Sequence, residues 1–501
     1  MTETKIIVLD DDPTGSQTVH SCLLLTRWDA ATLQTALLDD APLFFVLTNT
    51  RGMDAARADE LTRTVCHNLK LALADLAAGG RIIHPILVSR SDSTLRGHYP
   101  VETDVMVREL GPYLGGFDAH FLVPAFFEGG RFTRDSVHYL NVNGVPTPVH
   151  ETEFARDSVF GYRHSYLPDY VEEKTGGRIR AGQVERFLLA DLRADAGLPL
   201  PASPASGGGA NPLPAGGEPP SSEDEGERWA TNPPLANRLM ALAGNRCCVV
   251  DAETQADLDR FAGQLRPAAA RGKRFLFRSA ASLLTALARL PPQPVAAGAM
   301  GAYVRGQRPG AVIVGSHGKK TTAQLEHLLK EPGVASLEVD VDRIPTHREG
   351  LLADLLARAA AAHARGLTPV IFTSREERRF PDQAARLAFG EQVSAFLMDV
   401  VRGLPATLGF LISKGGITSN DVLSHGLELK TARVLGQVLA GCSVVRCPAD
   451  HPRFPDLPVV IFPGNVGDDD ALATVFRRLA GAGMATASSR HNARHDACLP
   501  V

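Results

Sequence analysis

Short runs of β-branched and aromatic residues recur at 6–9, 44–47, 86–89 and 121–123, each the length of a strand buried on both faces. Between the second and third, "AARADELTRTVCHNLKLALADLAAGG" has helical spacing and stops at Gly79-Gly80, which predicts a helix closed by glycine. "CCVVDAETQADLDRFAGQL" and "RFLFRSAASLLTALARL" repeat the order of strand, then helix. A further series predicts strands at 311–314, 336–339, 370–373, 410–412 and 459–462, with helices at about 321–330, 351–364, 383–401 and 471–480. Strands alternating with helices imply parallel pairing, so the expected fold class is α/β, two domains with largely parallel sheets.

The periodicity breaks twice. From about 194 to 237 the chain is rich in Pro, Gly and Ser and then acidic, too poor in apolar side chains to offset the entropy of ordering, which predicts a disordered insertion. A second break, "PPQPVAAGAMGAYVRGQRPG", divides the chain into 1–295 and 296–484, with 485–501 as a flexible tail. The 501 residues exceed what one core usually supports. A composition 44% hydrophobic and 22% charged, with a net charge of -4, is that of a soluble globular protein without the basic excess that nucleic acid attracts. The seven cysteines are scattered and odd in number, which suits reduced thiols in a cytoplasm; Cys442 and Cys447 have no second pair nearby to complete a zinc site. The start lacks a basic-then-apolar leader, and no apolar run approaches the ~18 residues of a membrane span. The histidines form no HxH or HExxH pair.

In a parallel α/β sheet ligands gather at the carboxyl ends of strands, so polar clusters directly behind apolar runs are where chemistry is expected. The first is "LDDDPTGS". One Asp-Pro-Thr-Gly would read as a solvated turn, but Asp10, Asp11 and Asp12 repel one another unless a cation or hydrogen-bond donors offset the charge. The second is "SRSDSTLRGH", where Arg90 and Arg96 flank Asp92, Ser93 and Thr94 and offer forked donors for a carboxylate or phosphate. "TNTRGM", with Arg51, and "PAFFEGGRFT" each end a strand and carry an Arg beside glycine. In the second half, "VIVGSHGKKTT", "FLISKGGITSN" and "VVIFPGNVGDDDA" each run from a strand through a glycine turn into a polar helix start, and three such turns together favour a phosphate cradle more than any one alone.

Taken in order, these stretches resemble the four-carbon acid sugar kinase family, whose pattern runs A-D-D-x-T-G-A, K-x-D-S-T-x-R-G, G-S, T-G-G-x-T and G-N-x-G. Here stand Asp11-Asp12-Pro13-Thr14-Gly15-Ser16, Arg90 to Gly97, Gly315-Ser316, Lys414-Gly415-Gly416-Ile417-Thr418 and Gly464-Asn465-Val466-Gly467. Arg90 departs from the usual Lys, and Lys414 and Ile417 from the residues around the glycine pair. The resemblance implies an N-terminal substrate domain, a C-terminal ATP domain, an active site in the cleft between them, Mg²⁺ with the ATP, and a four-carbon sugar acid as substrate; a homodimer is compatible with it. The substrate carboxylate is then expected on Arg96 with Arg90 or Arg51, beside Ser93, Thr94 and Gly15. The nucleotide is expected on Gly315, Ser316, Gly415, Gly416, Thr418, Gly464, Asn465 and Gly467. Asp12 or Asp92 would accept or orient the hydroxyl, and Asp11 would help place Mg²⁺.

Two other readings start from the same residues. "DDDPT" also satisfies the D-x-D-x-T pattern of haloacid-dehalogenase-type phosphatases, with Asp10 as nucleophile and Asp12 as acid/base, although the later lysine and acidic pair such chemistry needs are not close in sequence. A non-catalytic protein that binds nucleotide and a sugar acid would show the same motifs.

Overall fold

Ile6, Ile7, Val8 and Leu9 are all buried, as a strand covered on both faces requires, and the strand they belong to is central to the sheet. The computed structural model describes residues 2–194, 234–375, 378, 380–464 and 466–481, so most of the predicted insertion, the 485–501 tail and Asn465 lie outside the described residues. In chain order the strands are β1 (Thr2–Asp10), β2 (Leu23–Leu25), β3 (Leu43–Leu47), β4 (Ile82–Arg90), β5 (Ala119–Val123), β6 (Arg131–Arg134), β7 (Val137–Val142), β8 (Val145–Pro148) and β9 (Glu185–Phe187). They continue with β10 (Arg246–Val250), β11 (Phe275–Ser279), β12 (Ala311–Val314), β13 (Val334–Val339), β14 (Thr368–Thr373), β15 (Leu411–Lys414), β16 (Thr431–Leu439), β17 (Cys442–Arg446) and β18 (Pro458–Phe462).

Both halves are parallel α/β structures, as the alternation predicts. The first forms the order β2-β3-β1-β4-β11-β5-β10-β9 and the second β13-β14-β12-β15-β18, every adjacent pair within each block being parallel. The two blocks are not separate sheets. β17 runs antiparallel to β18, β16 antiparallel to β17, and Thr431, Ala432 and Arg433 of β16 pair antiparallel with Leu25, Leu24 and Leu23 of β2, which joins everything into one 15-stranded sheet. Arg433 reinforces this seam by donating to both carboxylate oxygens of Asp39, at 2.9 and 2.5 Å. A small antiparallel sheet, β6-β7-β8, stands apart from the main one.

The helices follow from local signals. Ala55–Ala78 starts where the Asp54 side chain accepts from the Arg57 amide and ends at Gly79, as its glycine pair predicts. In the second half the predicted helices are observed as Lys319–Leu328, Ile344–Ala364, Gln383–Gly403 and 471–481. Their apolar faces, with the sheet, bury contiguous cores: Phe121, Phe187, Phe261, Phe275 and Phe277 pack ring against ring in the first half, and Phe410, Phe462 and Phe476 lie in one core cluster of the second. No helix among the described residues is long and apolar enough to cross a membrane.

Candidate functional site

The loops that leave β1, β3, β4 and β5 at their carboxyl ends face the turns after β15 and β18 and the β16–β17 turn across a cavity of about 580 Å³. That is the size of a ligand site, and its position at strand carboxyl ends is where α/β sheets bind ligands. Its first wall carries Asp12, Thr14, Gln17, Arg51, Arg90, Asp92, Ser93, Arg96, Glu128 and Arg131; its second carries Gly416, Leu439, Gly441, Pro463, Gly464, Gly467 and Asp468. The walls nearly touch: a Cβ added at Gly416 would stand 3.2 Å from Asp12 Oδ2. Ser16 and Ser443, one from each half, share a hydrogen bond of 3.2 Å between their hydroxyls.

The three consecutive aspartates have three different environments. Asp10 is fully buried, neither carboxyl oxygen has a hydrogen-bond partner among the described residues, and a Cβ at Gly15 would overlap it at 1.9 Å. Burial raises its pKa well above the ordinary value, against the opposing charge of Arg90 3.8 Å away, which favours the protonated acid. Asp11 is also buried and accepts from Arg51 on both oxygens, at 2.5 and 3.2 Å. Asp12 alone reaches the cavity. Its carboxylate accepts from the Thr14 amide at 2.8 Å, from the Thr14 hydroxyl and from Arg51 at 3.2 Å. Burial pushes Asp12 up, but the Arg51 charge and the two Thr14 bonds outweigh it and hold the group below its usual range, ionised at neutral pH.

The arginines are equally unequal. Burial works against the charge on Arg51, and Asp11, Asp12 and Asp92 more than offset it. Arg96 donates to Asp92 at 2.6 Å, lies 3.6 Å from Asp157 and covers the Phe154 ring. Burial raises Asp92, while Arg51, Arg96 and the Thr94 hydroxyl bring it far below its usual value. Behind them Glu102 accepts from Arg278, Ser89 and Thr50 in a buried network, and Arg278 reaches toward Asp11 across Gly97, where a Cβ would stand 2.7 Å from the guanidinium and 2.8 Å from Asp11. Gly97 has φ +115°, so both its conformation and its space call for glycine.

Of the residues singled out in the sequence, Asp12, Arg51, Arg90, Asp92, Ser93, Arg96, Gly416, Gly464 and Gly467 line one cavity. Thr94 and Gly15 sit behind its wall, one bonded to Asp92 and the other packed on Asp10. Gly315, Ser316, Gly415 and Thr418 form an adjoining cluster that does not line it: a Cβ at Gly315 would be 2.5 Å from Thr418 Oγ1, and one at Gly415 3.5 Å from Ser316 Cβ. The expectation that Asp11 helps place a metal does not match its position, because both its oxygens face Arg51 and none faces the cavity. Among the described residues no group of three or more metal-type ligands occurs; the chemistry fits a magnesium ion only in the form that takes one or two carboxylates plus phosphate oxygens, with Asp12 the carboxylate nearest the second wall. The phosphatase reading needs Asp10 exposed as a nucleophile, and its burial opposes that. Sequence reasoning passed over Gln17, Glu128 and Arg131 as site residues and missed the β16–β17 turn; the Arg-beside-glycine of "FFEGGRF" was the signal for Arg131.

Residues 6–198 and 224–287 match the sugar-binding N-terminal domain family, and residues 311–472 match the nucleotide-binding C-terminal domain family. A stretch of 169 residues is 27% identical to the D-erythronate kinase of Heliobacterium modesticaldum (strain ATCC 51547 / Ice1), covering 33% of this chain; it spans about a third, 35%, of that enzyme's length. Two crystal structures share the fold across 95% of this chain: a Salmonella typhimurium LT2 protein described provisionally as a tRNA synthase (TM-score 0.61, 18% identity, 98% of that chain) and Haemophilus influenzae protein HI1011 of the DUF1537 family (TM-score 0.59, 16% identity, 100% of that chain). With a sugar-binding half and a nucleotide-binding half matched in order over most of its length, the chain belongs to the four-carbon acid sugar kinase family.

Proposed function

We propose that the protein transfers the terminal phosphoryl group of ATP to a hydroxyl of a four-carbon sugar acid of the erythronate, threonate or 3-oxo-tetronate type. The observation that carries this reading is the approach of Asp12 to Gly416. A half-buried, ionised carboxylate on the sugar-binding half stands against a glycine turn of the nucleotide-binding half, with the shared cavity around them. Phosphoryl transfer needs an acceptor hydroxyl held in line with the phosphate and charge neutralisation around it. In this reading Asp12 orients the acceptor hydroxyl and takes its proton. Arg51 fixes the Asp12 carboxylate from one side and Thr14 from the other, so the group is aimed before substrate arrives. The turns at Gly416, Gly464 and Gly467 let the backbone come close to a polyphosphate, each amide given to an ionised oxygen contributing roughly 1.5–3 kcal/mol. A magnesium ion, held by Asp12 and phosphate oxygens, would neutralise charge on the phosphates.

The test is a screen of four-carbon acids with a coupled ADP assay, followed by phosphorus NMR of the product. The expected result is ADP formation that depends on one or a few of these acids and yields a phosphate monoester. Hydrolysis of a generic phosphate ester without ATP, and no acid-dependent ADP, would overturn it.

A further inference from the structure

Four of the described arginines line the cavity, and two of them, Arg90 and Arg131, make no side-chain hydrogen bond with any described residue. Arg51 is committed to Asp11 and Asp12, and Arg96 to Asp92 with Asp157 beyond it. Among the described residues Arg90 has only Asp10 as an ion-pair partner, at 3.8 Å, and its buried Nε has no hydrogen-bond partner. Arg131 makes no ion pair and no side-chain hydrogen bond with any described residue, although it lines the cavity and its Nε is sealed from solvent. Arg131 is half-buried, and a guanidinium with a sealed Nε and no carboxylate partner is costly in a resting fold; burial lowers its pKa in spite of the more distant Asp92 and Glu153. The local backbone is built to hold it there. Gly129 leaves the space that the guanidinium fills, since a Cβ at that position would lie 2.0 Å from Arg131 Nη1, and the Phe126 ring backs the same group. The tight turn 126–131 is closed by reciprocal backbone bonds between Phe126 and Arg131, at 3.0 and 2.9 Å.

We propose that Arg131, with Arg90 on the same wall of the cavity, is the anchor for the substrate's carboxylate and sets the preference for an acid over an uncharged sugar, whereas Arg96 positions Asp92. The inference rests on the kinase reading for the identity of the anion, a four-carbon sugar acid. A carboxylate entering the cavity supplies the missing counter-charge and accepts the unused donors in the two-pronged geometry that a guanidinium offers and an ammonium does not. The adenine nucleotide, seated on the glycine turns of the other wall, is outside this contact.

The experiment measures by calorimetry the affinity of the full-length protein for erythronate and threonate, for their carboxamides and for ADP, in wild type, Arg131→Met, Arg131→Lys and Arg96→Met. Arg131→Met is expected to weaken the acid roughly 100-fold while leaving ADP and the carboxamide unchanged, so that discrimination between acid and amide collapses. Arg131→Lys is expected to fall between the two, and Arg96→Met to keep the discrimination. Retained preference for the acid in Arg131→Met, or a parallel loss of ADP binding, overturns the proposal. Wild type that binds the acid but phosphorylates none of the acids tested would defeat the kinase reading while leaving this contact to be judged by the binding data alone.

Discussion

The two walls of the cavity solve the same problem with different chemistry. The first half lines the cavity with side chains, among them Asp12, Arg51, Arg90, Asp92, Arg96 and Arg131; the second lines it with Gly416, Gly441, Gly464 and Gly467, mostly apolar neighbours and one acid, Asp468. A wall of charged side chains must be assembled before the ligand arrives, and most of these groups are already locked in pairs. A wall of glycines needs only an open backbone and close approach. Substitutions on the first wall should therefore act through charge and orientation, and those on the second through space.

The largest effect expected is that of Asp12→Asn. It removes the proposed proton acceptor while keeping the shape, and should lower kcat by roughly 10²–10⁴-fold. Its neighbour makes the control. Asp10 is buried with its protonated form favoured, so Asp10→Asn replaces an acid with its near-isostere and should leave kcat within a few-fold. Steady-state kinetics on both variants decide between the kinase reading and the phosphatase one, which requires the opposite ranking.

Behind the second wall, outside the cavity lining, lies a charge that behaves unlike those of the first. Lys414 is fully buried, donates to the carbonyls of Pro463 and Gly464 at 2.5 and 3.1 Å, and lies over the Phe462 ring; none of the described carboxylates forms an ion pair with it. Burial brings its pKa down from 10.5 to about 7. The folded chain then releases this proton near pH 7 and the unfolded chain only near 10.5, so between those values the unfolded state binds more protons and stability rises with pH. Urea melts across that window should show wild type gaining on Lys414→Met by on the order of 1 kcal/mol per pH unit. Parallel curves for the two proteins would mean that the ammonium keeps its proton, stabilised by the carbonyls and the ring.

The same contrast explains what could be read from the chain. Charged clusters behind apolar runs announced the first wall, because three aspartates or two arginines in a few residues exceed the needs of a turn. The parallel strands were legible for the same reason: buried on both faces, they read as unbroken apolar runs. What escaped was antiparallel. "TARVLGQVLAGCSVVR" forms β16 and β17, whose alternating pattern is weaker than a buried run, and β2 is three leucines long. Without those strands the two halves look like separate sheets, and nothing in one linear pattern reports that Leu23–Leu25 will pair with a segment 400 residues away. Pairing over that distance is set by tertiary packing. Likewise the acids Asp10, Asp11 and Asp12 look equivalent in sequence, and only burial separates them.

Space on the second wall can be probed with one methyl group. A Cβ at Gly416 would come to 3.2 Å from Asp12 Oδ2, tight enough that one of them must shift by a few tenths of an ångström. Gly416→Ala is expected to reduce kcat roughly tenfold, by turning the carboxylate away from the line of transfer, with a smaller change in ADP affinity. If ADP binding falls as far as kcat, the methyl is displacing nucleotide and not Asp12.

The smallest effect tests whether the walls are fixed relative to each other. Ser16 and Ser443 are fully buried, and their mutual hydrogen bond is one of the few side-chain links between the β1–β2 loop and the start of β17. A neutral bond of this kind contributes about 1 kcal/mol net, and removing one hydroxyl leaves the other without that partner. A double-mutant cycle of Ser16→Ala and Ser443→Ala, read by urea unfolding, should therefore give a coupling of about 0.5–1.5 kcal/mol. Because the loop that ends at β2 also carries Asp12 and Thr14, the single variants should lower kcat by a modest factor beyond their effect on stability, while the KM for the sugar acid, which the proposal places on Arg131 and Arg90, stays put. Zero coupling would mean that the seam between β2 and β16 alone holds the first wall against the second, and that the hydroxyl pair is incidental to the alignment of Asp12.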